Sequence, residues 1–178
     1  MSEIKLSNRY AKALLDEAIQ KSNVDVAYSD MVFVKESISQ SVELSSLLKS
    51  PIINSGNKIQ VLSKVFTSLT PATINFIQFL VEKNRERYLF DISEAFISQY
   101  YNHKGITLIE ITSPVSLDSA SIDRILDSTK KQMNLKEVKV STKVDEKILG
   151  GLVLKIGDKV LDASIASRLE NFKRTLTA

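Results

Sequence analysis

The sequence predicts a mostly α chain: an N-terminal six-helix bundle over residues 1–105, followed over 106–178 by a small α/β domain with a mixed sheet and a terminal helix. Two observations carry the prediction. Apolar residues recur at helical spacing through the N-terminal part, and the pattern turns to strand-like runs and alternation after Gly105. The composition agrees, because 43% hydrophobic and 25% charged residues describe a chain that buries a core.

The helices follow in order. Leu6, Tyr10, Ala13, Leu14 and Ala18 form the first stripe, flanked by Ala11, Leu15 and Ile19. Ala27, Met31, Val34 and Ile38 form the second, and Leu44, Leu47 and Leu48 a shorter third that Ser50-Pro51 ends. After Asn54-Ser55-Gly56 the period resumes with Ile59, Leu62, Val65, Phe66 and Leu69. Thr70-Pro71 then reads as a capping hydroxyl before a proline at the first helical position. The fifth helix is unusually apolar. Ile74, Ile77, Leu80 and Val81 line one side, while Phe76 and Phe79 widen the surface, so the helix is either central to the bundle or offers a second face to a partner helix. Leu89, Ile92, Phe96 and Tyr100 mark the sixth.

Beyond Gly105, Ile106–Thr112 is dense in β-formers and stops at Ser113-Pro114. Asp118 or Ser119 caps a helix carrying Ile122, Ile125, Leu126 and Met133. Val138, Val140, Thr142 and Val144 alternate with polar residues as a half-buried strand. Gly150-Gly151 opens the apolar run 152–156, Gly157-Asp158 permits a reversal, and Lys159–Asp162 returns. Ser164 caps a terminal amphipathic helix with Ile165, Leu169, Phe172 and Leu176 at helical spacing. The order β-α-β-β-β-α gives a small sheet covered by helices.

Chemistry is sparse. The chain has no cysteine, which excludes disulfides and thiolate catalysis, and its one histidine, His103, reads as a surface or helix-terminal residue. The glycines near 150 lack the spacing of a phosphate loop. Asp145-Glu146 and the aspartates at 158 and 162 read as turn and capping groups. Arg85, Glu86 and Arg87, and likewise Arg168, Glu170, Lys173 and Arg174, are either solvated faces or charged rims of protein contacts, with Arg168 in reach of Asp162. A net charge of +3 without a dense basic block argues weakly for a polyanion partner. No apolar run is long enough to span a bilayer, and the N-terminus reads as neither a secretory signal nor a transit peptide. From pattern alone, a non-catalytic adaptor leads, ahead of a nucleic-acid binder and then an enzyme.

Four blocks in order sharpen this reading. They are Arg9-Tyr10-Ala11-Lys12-Ala13-Leu14, Leu47-Leu48-Lys49-Ser50-Pro51 with Lys58, Asn75-Phe76 with Leu80, Asn84 and Arg85, and the closing Val144-Asp145 and Gly150–Gly157 with Asp158, Asp162, Ser164, Arg168 and Leu169. Through them the chain resembles, over essentially its full length, the delta subunit family of F-type ATP synthase, called the oligomycin sensitivity conferring protein in mitochondria. The resemblance implies a non-catalytic peripheral-stalk subunit without cofactor or metal. It implies that the helical domain sits on the catalytic head and receives the N-terminal helix of an alpha subunit, with Tyr10, Leu14, Phe76, Ile77, Phe79 and Leu80 as the expected contact. It also implies that the C-terminal domain engages the end of the b-subunit dimer, with Arg168, Phe172 and Lys173 as its expected contact. The expected location is the cytoplasmic face of the bacterial inner membrane, reached only through the complex, with neither nucleic acid nor a small-molecule substrate as partner. The alternative is a freestanding nucleic-acid-binding or protein-scaffolding adaptor. Ala163 stands where the family usually has glycine and Ala166 where it usually has arginine, so the first position needs no left-handed backbone and the second lacks a rim charge.

Overall fold

The computed structural model describes residues 3–133, 135, 137–157 and 159–177. The chain forms two compact units, Met1–Tyr100 and Tyr101–Ala178. The N-terminal unit is a helical bundle built from α1 (Glu3–Gln20), α2 (Val24–Gln40), α3 (Val42–Lys49), α4 (Ser55–Val65), α5 (Pro71–Glu82) and most of α6 (Leu89–Lys104), with a 3-10 turn at Glu86–Tyr88. The C-terminal unit is a small mixed sheet with helices: β1 (Ile106–Ser113), α7 (Ser119–Met133), β2 (Glu137–Val144), β3 (Val153–Ile156), β4 (Lys159–Asp162) and α8 (Ile165–Thr177).

Local signals set the helix ends. The Ser41 hydroxyl accepts the Leu44 N–H at 3.1 Å and starts α3, and the Asn54 side chain accepts the Asn57 N–H at 2.8 Å and starts α4. The C-terminus of α5 is closed by Asn84 in the left-handed region (φ 55°), where the Arg85 N–H reaches back to the Leu80 carbonyl at 2.8 Å. In α1 the buried face runs through Ser7, Ala11, Leu14, Leu15 and Ala18, whereas Ala13 is exposed and Leu6 and Tyr10 are half-buried. The expected stripe is thus turned partway around the helix, with Ala11 fully buried in place of Ala13.

The bundle core is dominated by Met31 and Val34 of α2, Phe66, Leu80 and Val81, and Leu89, Ile92 and Phe96 of α6, all essentially fully buried. Two polar clusters lie within it. Asp30 of α2 accepts hydrogen bonds from the Thr70 N–H (3.0 Å), the Thr70 hydroxyl (2.6 Å) and the Thr73 hydroxyl (2.7 Å). Thr70 does precede Pro71 at the start of α5, but its hydroxyl is turned to Asp30 and makes no cap bond to the helix backbone. The buried carboxylate outcompetes the helix for that donor because a charged acceptor forms the stronger bond. Second, Lys58 of α4 meets Glu86 at 2.5 Å, with both side chains buried. Glu86 is therefore no part of a surface rim. Its other carboxylate oxygen is buried without a hydrogen-bond partner among the described residues.

In the C-terminal unit the sheet order is β2-β1-β3-β4. β1 and β2 are parallel and joined through α7, while β1–β3 and β3–β4 are antiparallel. Alternation places Ile109 and Ile111 of β1 beside Ile156 and Leu154 of β3, and these four residues form the buried core, with Ile122, Ile125 and Leu126 of α7 packed on it. Val138 and Val140 also reach this core, but Thr142 and Val144, farther along the edge strand β2, are exposed. Asp118 caps α7 by accepting the Ser121 N–H at 3.3 Å. Gly157 takes φ 56° ahead of β4; Asp158, the second residue of the expected reversal, lies outside the described residues.

The Gly150-Gly151 pair has a packing role. A Cβ on Gly151, which adopts φ 75°, would stand 2.3 Å from the Ala163 carbonyl oxygen, and one on Gly150 would stand 2.6 Å from the Ile165 side chain. The chain passes this close because the junction between β4 and α8 rests on it: Ala163 N–H bonds the Leu152 carbonyl and Ile165 N–H the Gly150 carbonyl, each at 3.0 Å. Ser164 caps α8 by accepting the Ser167 N–H at 3.1 Å. Asp162 in turn accepts the Ser164 N–H at 2.8 Å. The expected pairing of Arg168 with Asp162 is not formed; the carboxylate is held by serine donors instead. The Ser164 hydroxyl, and next its N–H, keep this carboxyl below the usual aspartate range.

Two expectations follow for stability. Lys58→Met leaves Glu86 buried and unpaired and should cost about 3–5 kcal/mol, whereas the Lys58→Met/Glu86→Leu pair should recover most of it; urea unfolding of the helical unit followed by circular dichroism measures both. Because the folded pKa of Asp162 lies below its unfolded value of about 3.9, its support for α8 is present above that pH and lost as pH falls through the folded value. The protection factors of the α8 amides, taken relative to the intrinsic exchange rate at each pH, should therefore fall in acid, and Asp162→Asn should show the weakened helix already at neutral pH.

Candidate docking surfaces

The breadth of α5 resolves into two faces. Thr73, Ile77, Leu80 and Val81 are buried and hold the bundle, while Phe79 is 42% exposed and Phe76 half-buried. Phe79 does not stand alone. The Tyr10 ring of α1 meets it edge-on, with centroids 6.3 Å apart at 62°, and Lys83 carries its ammonium 5.7 Å from the Phe79 centroid. Of the six residues expected to form this contact, Tyr10, Phe76 and Phe79 reach the surface, whereas Leu14, Ile77 and Leu80 are buried. Lys83 escapes a reading based on apolar spacing, although its place four residues after Phe79 on one helix side is a usable signal.

In the C-terminal unit, α8 exposes the apolar face that its period predicts. Ile165, Leu169 and Phe172 lie along one side, and Phe172 is 68% exposed. Arg168 and Lys173 are also exposed and flank that face. Ile165 and Leu169 therefore belong with the three expected residues; the same spacing that predicts the helix contains them. The side chain of Leu176 lies outside the described ones. A cleft of about 540 Å³ opens between α7 and the β3–β4 hairpin, with Leu154 and Leu161 on its wall.

A second cleft, of about 460 Å³, lies where α2 meets α3, against the start of α6. It contains Lys49, Arg87 and Asp91. Burial, then the nearby Glu94 and Glu3 carboxylates, raise the Asp91 pKa, while Lys49 opposes them. Arg87 is stacked 4.4 Å from the Tyr88 ring centroid. The neighbouring side chains include no cysteine or histidine to serve as nucleophile or base beside Asp91. Among the described residues, no group of three or more His, Cys, Asp or Glu stands ready to hold a metal ion. His103 is exposed in the last turn of α6. No described helix is long and apolar enough to cross a membrane.

Comparison with known proteins accords with a chain whose exposed features are apolar faces. The family model described as ATP synthase delta (OSCP) subunit matches residues 6–176. The chain is 32% identical over 176 residues to the ATP synthase subunit delta of Lactobacillus johnsonii, covering 99% of this chain and 97% of that one. It is 33% identical over 181 residues to the subunit delta of Cytophaga hutchinsonii, with 99% and 97% covered. A chain in the cryo-EM structure of the Toxoplasma gondii mitochondrial ATP synthase hexamer shares the fold, with a TM-score of 0.81 at 24% identity over 97% of this chain and 98% of that one. Full-length agreement in sequence and fold establishes that the chain belongs to the ATP synthase delta (OSCP) subunit family and is a non-catalytic stator subunit.

Proposed function

We propose that this subunit ties the catalytic head of the synthase to its peripheral stalk through two separate surfaces, resisting rotor torque while handling neither nucleotide nor protons. The helical unit receives the N-terminal helix of an alpha subunit on the Tyr10–Phe76–Phe79 surface, with Leu14, Ile77 and Leu80 buried in the same two helices. The C-terminal unit engages the ends of the b-subunit dimer, with Phe172 flanked by Arg168 and Lys173. In a bacterial cell the subunit would thus lie at the cytoplasmic face of the inner membrane, held there by its partners.

The observation that carries this reading is the exposure of aromatic rings on a helix whose opposite side is committed to the core. Phe79 meets Tyr10 from another helix, so the two elements are already positioned before any partner arrives. A partner helix then orders fewer side chains on docking, which lowers the entropic cost of binding. Apolar side chains set between these rings gain burial, and Lys83 beside Phe79 supplies a polar rim.

Phe79→Glu should weaken binding of an alpha-subunit N-terminal peptide by about 2 kcal/mol or more while leaving the helical circular dichroism intact. Ile77→Glu puts a charge into the core and should unfold the unit instead. Titration calorimetry with the full chain tests both, and an absence of saturable heat at micromolar concentrations with the unaltered protein would sink the first contact. For the second, Phe172→Glu should weaken capture of the soluble part of the b subunits without altering alpha-peptide binding.

A further inference from the structure

We infer that the cleft between α7 and the β3–β4 hairpin is the seat of an amphipathic helix whose apolar stripe is flanked by carboxylates. This rests on the reading that the C-terminal unit engages the stalk, and it adds to the α8 face a second seat, with its own chemistry, for a helix of that stalk. The cleft exists because the core of the unit is built on β1 and β3. α7 packs on Ile109 and Ile111, and the edge strand β4 is left bare, with every residue exposed. Ile125 and Met133 of α7 form one wall and Leu154 and Leu161 of the hairpin the other. Leu161 is 58% exposed, although it pairs with Leu154 on the core side of the sheet. A large apolar residue in that position is accounted for by an incoming apolar surface.

Charge identifies the occupant. Among the described residues lining the cleft, the charged ones are Arg124 on the α7 side and Lys159 on the hairpin, both cations. Residues 101–178 hold 13 Lys and Arg against 10 Asp and Glu, a net +3, whereas residues 1–100 hold 11 of each. The whole net charge of the chain therefore lies in the unit that carries the cleft. Strand addition to β4 is poorly served by an edge of four residues. A helix laid in the cleft needs no ladder; it fills the floor with side chains spaced three and four residues apart and sets its flanking carboxylates against Arg124 and Lys159.

The test uses the full chain and two helical peptides of about 20 residues, long enough for roughly 30 Å of helix. The peptides share one leucine stripe and differ in carrying glutamates or lysines beside it; binding is read by fluorescence anisotropy. The glutamate peptide should bind about tenfold more tightly than the lysine peptide, the difference should shrink with salt, and Arg124→Glu/Lys159→Glu should reverse the preference. Circular dichroism checks that this variant is folded. Equal binding of the two peptides, binding of neither, or a preference that survives the charge reversal overturns the proposal. A parallel titration with the soluble part of the b subunits separates the two readings. If those subunits bind the unaltered chain and the charge-reversed variant equally, the cleft assignment fails and the stalk contact stands; if they bind neither, the stalk contact fails with it.

Discussion

The start of α5 is pinned by the Asp30 carboxylate, which draws in the Thr70 N–H, the Thr70 hydroxyl and the Thr73 hydroxyl. Three donors converging on one buried acceptor hold the first turn of the helix against α2 and leave little freedom about its axis. Rotation is the degree of freedom that matters. A helix with apolar residues on most of its circumference has no unique core-facing side from hydrophobicity alone. With Thr73 held inward, Ile77, Leu80 and Val81 turn inward too, and Phe79 is left outside beside Tyr10. One polar cluster thereby settles which apolar residues of α5 build the bundle and which stay exposed.

The Lys58–Glu86 pair acts at the other end of the same helix. It joins α4 to the turn between α5 and α6, where Asn84 has already stopped the helix. Burying two charges gains little net stability, because desolvation offsets most of the attraction. The pair does penalise any arrangement that separates them, so it selects one position for the turn. In the proposed role of resisting torque, resistance to slippage counts for more than a deeper free-energy minimum. The exposed faces of the two units lie on frames fixed in this way: Phe79 on the pinned helix α5 with the Tyr10 ring against it, and α8 on a junction bonded into the sheet.

Much of this was legible in the residues. Helical period marks α1 to α8 in order, and β-former runs and alternation mark β1 to β4, because those signals act within a few residues of one another. The partners of Thr70 and Lys58 were not legible, since each pairs with a group far along the chain and neither leaves a periodic trace. The aromatic excess of α5 pointed to the first surface, but separating Phe79 from Ile77 and Leu80 required knowing which way the helix is turned. The exposed face of α8 was readable, whereas the cleft beside β4 depends on sheet order and on how far α7 extends. Gly150-Gly151 marks the break ahead of a strand by its turn-forming freedom; the close passage of Ala163 and Ile165 that makes larger residues unwelcome there is tertiary.

That passage governs how force enters the sheet. The root of α8 is bonded to the segment leading into β3 through the Ala163 and Ile165 N–H groups, and the helix follows β4 with only a short link between them. Tension applied to α8 along the strand direction loads the β3–β4 bonds side by side, so they must fail together. Tension applied across the strand opens the same bonds one after another from the Asp162 end. The terminal helix is thus a handle with a strong and a weak direction of pull, and the strong one lies along the hairpin.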